Sequence, residues 1–194
     1  MSTLFVNNLN TASGSTITVP TGKQLIVTDE GAVRVPGTVL QIKQTYFQTQ
    51  VTYSTTNAFN NITDLNCTIT PKSASSKIFV TIIFNYSTNN NGCGHGLALD
   101  REIGGVTSVD IARGTGGSTA DLWVGLDNNY GQTNSSAIVL NASGNFLDSP
   151  NTTSAITYKP KVYLIGGAAA IKMNRSNGDQ LGAASTLTLM EIAQ

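Results

Sequence analysis

The stretch Lys77-Ile-Phe-Val-Thr-Ile-Ile-Phe-Asn-Tyr-Ser87 decides the fold class. Its side chains alternate with a period of two. Ile78, Val80, Ile82, Phe84 and Tyr86 share one face, and Phe79, Thr81, Ile83 and Asn85 share the other. Apolar residues on both faces predict a central strand covered on two sides. Shorter runs repeat the pattern. Thr38 to Gln44 sets Val39, Gln41 and Lys43 against Leu40 and Ile42; Leu65, Cys67 and Ile69 line one face. Val162 and Leu164 oppose Tyr163 and Ile165, and Leu187 and Leu189 oppose Thr188, Met190 and Ile192. No window of ten residues carries a sustained helical period; Asp179 to Ser185 has room for one turn at most.

Turn chemistry separates the runs. Clusters of Gly, Asn, Asp and Ser fall at residues 89–92, 104–105, 114–118, 128–132, 143–145, 148–153 and 174–179. Short strands at this spacing predict an all-β, antiparallel β-sandwich with a jelly-roll-like layout over residues 37–194. The first 36 residues differ. Three short alternating pieces, Thr3 to Val6, Thr16 to Val19 and Gln24 to Thr28, cannot bury a core alone. Residues 1–36 therefore read as an extended anchor that docks on something else, with the boundary near Gly37.

Composition narrows the function. The chain has 194 residues, of which 11% are charged, and its net charge is zero. No basic footprint argues for nucleic acid, and no long apolar run argues for membrane insertion. Thr, Ser, Asn and Gln replace the missing charges. The start, Met1 to Asn10, lacks the basic and apolar regions of a signal peptide. The seven Asn-x-Ser/Thr triplets, at Asn61, Asn66, Asn85, Asn134, Asn141, Asn151 and Asn174, are accordingly assigned no glycans. Cys67 and Cys93 read as separate reduced thiols, since two cysteines build no disulfide framework.

Candidate chemistry is sparse. Cys93 and His95 offer two metal ligands, with Cys67 a third and no fourth, so no metal and no cofactor is expected. Asp100, Glu102 and Asp110 are the carboxylates a polysaccharide-cleaving enzyme would need. No aromatic groove accompanies them in sequence, and an ion pair with Arg101 on a solvent-facing hairpin accounts for them; no catalytic residue is assigned. The single Trp123 lies in an alternating stretch and is expected in the core. Asp127, Asn128, Asn129 and Tyr130 combine an aromatic ring with amides and a carboxylate on a loop. That chemistry stacks on and hydrogen-bonds to sugars, so these four are the receptor-contact candidates.

The order of several segments adds a resemblance. Ala12 to Gly22 (ASGSTITVPTG) precedes Val35 to Tyr46 (VPGTVLQIKQTY) and Ile69 to Ser87 (ITPKSASSKIFVTIIFNYS). Phe146 to Tyr163 (FLDSPNTTSAITYKPKVY), Lys172 to Ser176 (KMNRS) and Ser185 to Ala193 (STLTLMEIA) follow. This order resembles small tail-fibre and virion structural proteins of marine and cyanobacterial bacteriophages, across nearly the whole chain. The resemblance implies a homotrimeric virion component with a β-rich head, anchored to another virion protein through residues 1–36. It favours a tail position over the capsid surface, and the loop chemistry of Asp127 to Tyr130 adds a host-surface glycan as the expected partner. A capsid decoration or head-fibre protein is the alternative within the same architecture. The resemblance carries over no binding residue.

Overall fold

The computed structural model describes residues 19–24, 26–28, 34–88, 94–117, 119–126, 137–166 and 170–194. Most of residues 1–36 (expected to be an anchor), Cys93 and all four receptor-contact candidates lie outside the described residues. The described parts of residues 19–36 form no strand. From Gly37 onward the chain is an all-β, jelly-roll-like sandwich of two antiparallel sheets. Among the described residues there is no α-helix, only a 3-10 turn at Thr63–Leu65.

The first sheet contains β1 (Val39–Phe47), β2 (Val51–Tyr53), β5 (Lys77–Thr88), β9 (Leu140–Asp148), β11 (Ile171–Met173) and β12 (Ser185–Ile192). The second contains β3 (Ala58–Asn61), β4 (Cys67–Ile69), β6 (His95–Ile103), β7 (Val106–Ser108), β8 (Val124–Leu126) and β10 (Ile156–Leu164). Each sheet is effectively four strands wide. In the first, β12 and β11 follow one another along one side of β5, and β9 pairs with the other side. In the second, β10 and β6 form the long central pair. The flanks of that pair are shared by β3 with β4 and by β7 with β8.

The alternation read in β5 is the core face. Ile78, Val80, Ile82, Phe84 and Tyr86 are all fully buried against Leu97, Leu99, Tyr158, Val162 and Leu164 of the facing sheet. Leu65, Cys67 and Ile69 are buried as expected, as are Leu187 and Leu189. Two expectations fail on β5 and β1. The second face of β5 is not covered: Ile83 is exposed and Phe79 only half-buried. On β1 the register shifts between Val39 and Gln41, so Leu40 and Gln41 are both buried and Ile42 turns outward. A bulge inverts the alternation beyond it, which a strict period of two does not anticipate. Residues 179–185 form no helical turn. Gly182 instead bridges to Arg175, and Asp179 adopts a left-handed φ of 58°.

Trp123 is partly buried against the core, and its Nε1 donates to Asn145 O at 3.1 Å. It crosses to β9 at Gly144, where a Cβ would stand 2.4 Å from Val124 Cγ2 and 3.1 Å from Trp123 Cε2. The bare backbone of Gly144 is what lets the ring approach. The Gly104-Gly105 turn joins β6 to β7 with φ of 57° and 83°, the two positive angles a two-residue hairpin of this hand requires.

Three polar side chains inside the sandwich, Glu191, Asp148 and Asn174, are satisfied by distant partners. Glu191 is fully buried on the core side of β12. Its carboxylate accepts Lys72 N at 2.7 Å and Gln41 Nε2 at 2.6 Å. Asp148 accepts Arg101 Nη1 at 2.8 Å and the Tyr158 hydroxyl at 2.7 Å, joining the two sheets. Asn174 donates to Phe47 O and Thr49 O and accepts the Ser185 hydroxyl at 2.6 Å. These contacts fix how the hairpins close on the core, since a buried polar group left unpaired is costly.

Candidate functional site: the loop pole of the sandwich

The strands give the sandwich two poles of different character. At one pole the chain enters and ends. Gly37 N donates to Ala193 O at 2.8 Å, and Ala193 N donates to Thr38 O at 2.9 Å. Arg34 Nη2 donates to Lys72 O at the same pole. The Arg101–Asp148 contact ties the sheets together there.

Three loops start and finish at the other pole. Residues 89–94 leave from Thr88 and return at His95; residues 127–139 leave from Leu126 and return at Leu140; residues 165–170 leave from Leu164 and return at Ile171. The stems are mutual neighbours. His95 pairs with both Leu164 and Leu126, Thr88 pairs with Ile171, and Tyr86 pairs with Leu140. The loop carrying Asp127, Asn128, Asn129 and Tyr130 is thus rooted beside the other two, although those four residues themselves lie outside the described residues. Sequence reading missed this convergence, because the pairings join stems from about 30 to more than 80 positions apart.

His95 belongs to the base of this pole. It is 3% exposed, and its Nε2 lies 3.1 Å from Thr88 Oγ1 across the two sheets. Burial lowers its pKa below the ordinary 6.5, against a smaller opposing effect of the Gly94 backbone. The imidazole therefore stays neutral in the fold while the unfolded chain takes up a proton near 6.5. Stability is unaffected above that pH and falls as pH drops from about 6.5 toward the folded value. Urea midpoints measured from pH 7 to pH 5 are expected to decline in the wild type and to decline less in His95→Gln. Equal slopes would place the titrating group elsewhere.

The carboxylates weighed for glycoside cleavage are each bound by lysine. Asp100 is buried rather than solvent-facing: Asp110 N donates to it at 2.8 Å, and Ile111 N bonds to the adjoining Leu99 O. Lys161 Nζ reaches Asp100 Oδ1 at 2.8 Å and Asp110 Oδ1 at 2.9 Å, and sits 4.4 Å above the Phe59 ring. Glu102 pairs with Lys159, whose hydrogen bond holds its carboxyl below the usual range. Arg101 points to the opposite face, onto Asp148, so the expected Asp100–Arg101–Glu102 hairpin ion pair does not form. Cys67 is a buried free thiol, its pKa pushed up by burial. Among the described residues no three of His, Cys, Asp and Glu converge to hold a metal. No helix among them is long and apolar enough to cross a membrane. An open groove of about 540 Å³ lies beside Tyr46, Gln48 and Gly182–Ala184, with no charged side chain in its lining.

No protein-family model and no curated protein matches the chain. Among solved structures, it is similar to the D431N mutant VP2 protein of infectious bursal disease virus in T=1 particles. That match has a TM-score of 0.40 and 14% identity over 88% of this chain and 41% of that one. It is also similar to a chain of the T13 particle of the same virus, with a TM-score of 0.39 and 15% identity over 88% and 40%. The chain spans about two-fifths of the length of these proteins. Likeness at this level carries no functional conclusion. The sandwich architecture rests on the pairing of the chain's own strands.

Proposed function

We propose that the chain is a virion structural protein, a homotrimeric bacteriophage tail fibre that binds rather than cleaves. Residues 1–36 dock on another virion protein, and the loop pole of the head meets a host-surface glycan. The observation that carries this reading is the polarity of the head. The chain enters at Gly37, beside its own last strand, and the stems of three loops lie together at the far pole. A head held at the first pole presents the second outward. Loops on a rigid β scaffold are where recognition ordinarily resides. The order of segments that resembles phage virion proteins supports the same assignment. The pairing of Asp100, Glu102 and Asp110 with lysines supports binding over catalysis.

The test has two parts. Antibody-gold labelling of purified particles is expected on the tail. Label over the head would replace the tail fibre with a capsid decoration protein, and unlabelled particles would end the virion reading. Particles in which Asp127, Asn128, Asn129 and Tyr130 are all changed to Ala are expected to contain the protein at normal copy number. Their adsorption to host cells should fall at least ~10-fold, the equivalent of ~1.4 kcal/mol of binding. Unchanged adsorption would remove these four residues from the contact.

A further inference from the structure

The outer faces of the two sheets differ in chemistry. On the second sheet, Lys159, Glu102, Lys161 and Asp100 stand on the outer face as ion pairs. The first sheet carries three successive cross-strand rows over β1, β12, β5 and β9. One row is Ile42–Met190–Phe79–Leu147, all four in direct register. The next is Gln44–Thr188–Thr81–Asn145, and the third is Tyr46–Thr186–Ile83–Ser143. None of these twelve residues is charged. Ile42 is 57% exposed, Tyr46 62%, Ile83 43% and Leu147 48%.

Single exposed apolar residues are ordinary, but a contiguous apolar row across a whole sheet marks an interaction surface. We propose that this face packs against the same face of other copies of the chain, with the strands running along the symmetry axis. Its lack of charge selects that occupant. Symmetric apposition brings each side chain near its own copies, so any charge here would meet its like. A different protein partner would be steered and discriminated by complementary charges, and the rows offer none. A membrane-surface face would add a rim of several basic residues; the adjoining row on this face, Ile192–Lys77, holds a single lysine. Twelve residues, with strands about 4.8 Å apart and rows about 6.8 Å apart, give roughly 400 Å² in projection. A stable interface buries about 800 Å² per partner, so the face supplies the apolar centre of the contact and its polar margins the remainder.

This inference deepens the self-association in the functional reading and is independent of where on the particle the protein sits. Sedimentation of the full chain from about 1 to 100 µM tests it. The wild type is expected at a multiple of 20.3 kDa. Ile42→Asp and Leu147→Asp, on opposite edges of the face, are expected to keep the wild-type circular dichroism and to raise the dissociation constant at least ~100-fold. Should either fail to fold, Gln44→Lys and Asn145→Lys place charge on the same rows at positions that are already polar. A trimer that these variants dissociate supports the proposal. A dimer that they dissociate supports the face and overturns the three-fold count. A wild type that stays monomeric throughout, or variants that keep the wild-type mass, overturn the face. Either result leaves the labelling experiment on particles unaffected.

Discussion

Ile82→Asp is expected to unfold the protein or lower its melting temperature by more than 10 °C. Ile82 is fully buried at the middle of β5, flanked by Leu187 on β12 and Gly144 on β9. The substitution removes an aliphatic side chain from a close-packed site, at about 2–5 kcal/mol, and adds a carboxyl with no partner. The sum rivals the roughly 5–15 kcal/mol that holds a domain together. For about 200 residues, each kcal/mol is worth roughly 2–4 °C. The neighbouring Ile83→Asp makes the same chemical change on the exposed face. Measured below the association range, it should melt near the wild type. A similar drop in both variants would mean that the two faces of β5 are not distinguished as described.

Asp148→Ala is expected to cost about 3–5 kcal/mol in urea unfolding, far more than an ordinary ion pair. Asp148 is 6% exposed, and both its oxygens lie 2.8 Å from Arg101 Nη1 on the opposite sheet. Removing the carboxylate leaves a guanidinium largely out of water with nothing to neutralise it, and leaves the buried Tyr158 hydroxyl without its acceptor. Replacing Arg101, Asp148 and Tyr158 together by Met, Leu and Phe should cost much less, because no orphaned group remains. Equal losses for the single and triple variants would refute this account. Alkali examines the same contact. Burial first, and then the Asp148 charge, hold the Tyr158 hydroxyl well above the ordinary tyrosine value of 10.0. The unfolded chain therefore releases that proton first, so the contribution is complete below about pH 10 and is lost as pH rises beyond it. Tyr53, pushed up to about 12 mainly by burial, acts with the same sign.

What could be read from the chain, and what could not, divides along the range of the interactions. The inner face of β5 is written locally, as five apolar residues two apart, and the same holds for Leu187 and Leu189. The bulge at Leu40 and Gln41 is not, because its cause is remote: the Gln41 amide donates to Glu191, 150 positions later. Asp148 and Asn174 looked like turn residues because they stand in turn-rich stretches; only folding brings Tyr158 and Ser185 to them. Asp100 was misjudged for the same reason, since Lys161 reaches it from another strand. The candidate site was legible as chemistry, an aromatic ring among amides, but not as a place. The rooting of its loop at Leu126 and Leu140 depends on pairings of β8 with β6 and β9 with β5, between stems far apart in sequence.

The hydrogen bonds that join Gly37 and Thr38 to Ala193 have a mechanical consequence. A pull delivered through the residues before Gly37 and resisted at the far pole runs along β1. That strand is paired with β12 from Val39 to Phe47. Its ladder bonds lie across the line of force, so they are sheared together rather than opened one at a time. If the proposed attachment through residues 1–36 holds, the sandwich resists that load in shear rather than by peeling.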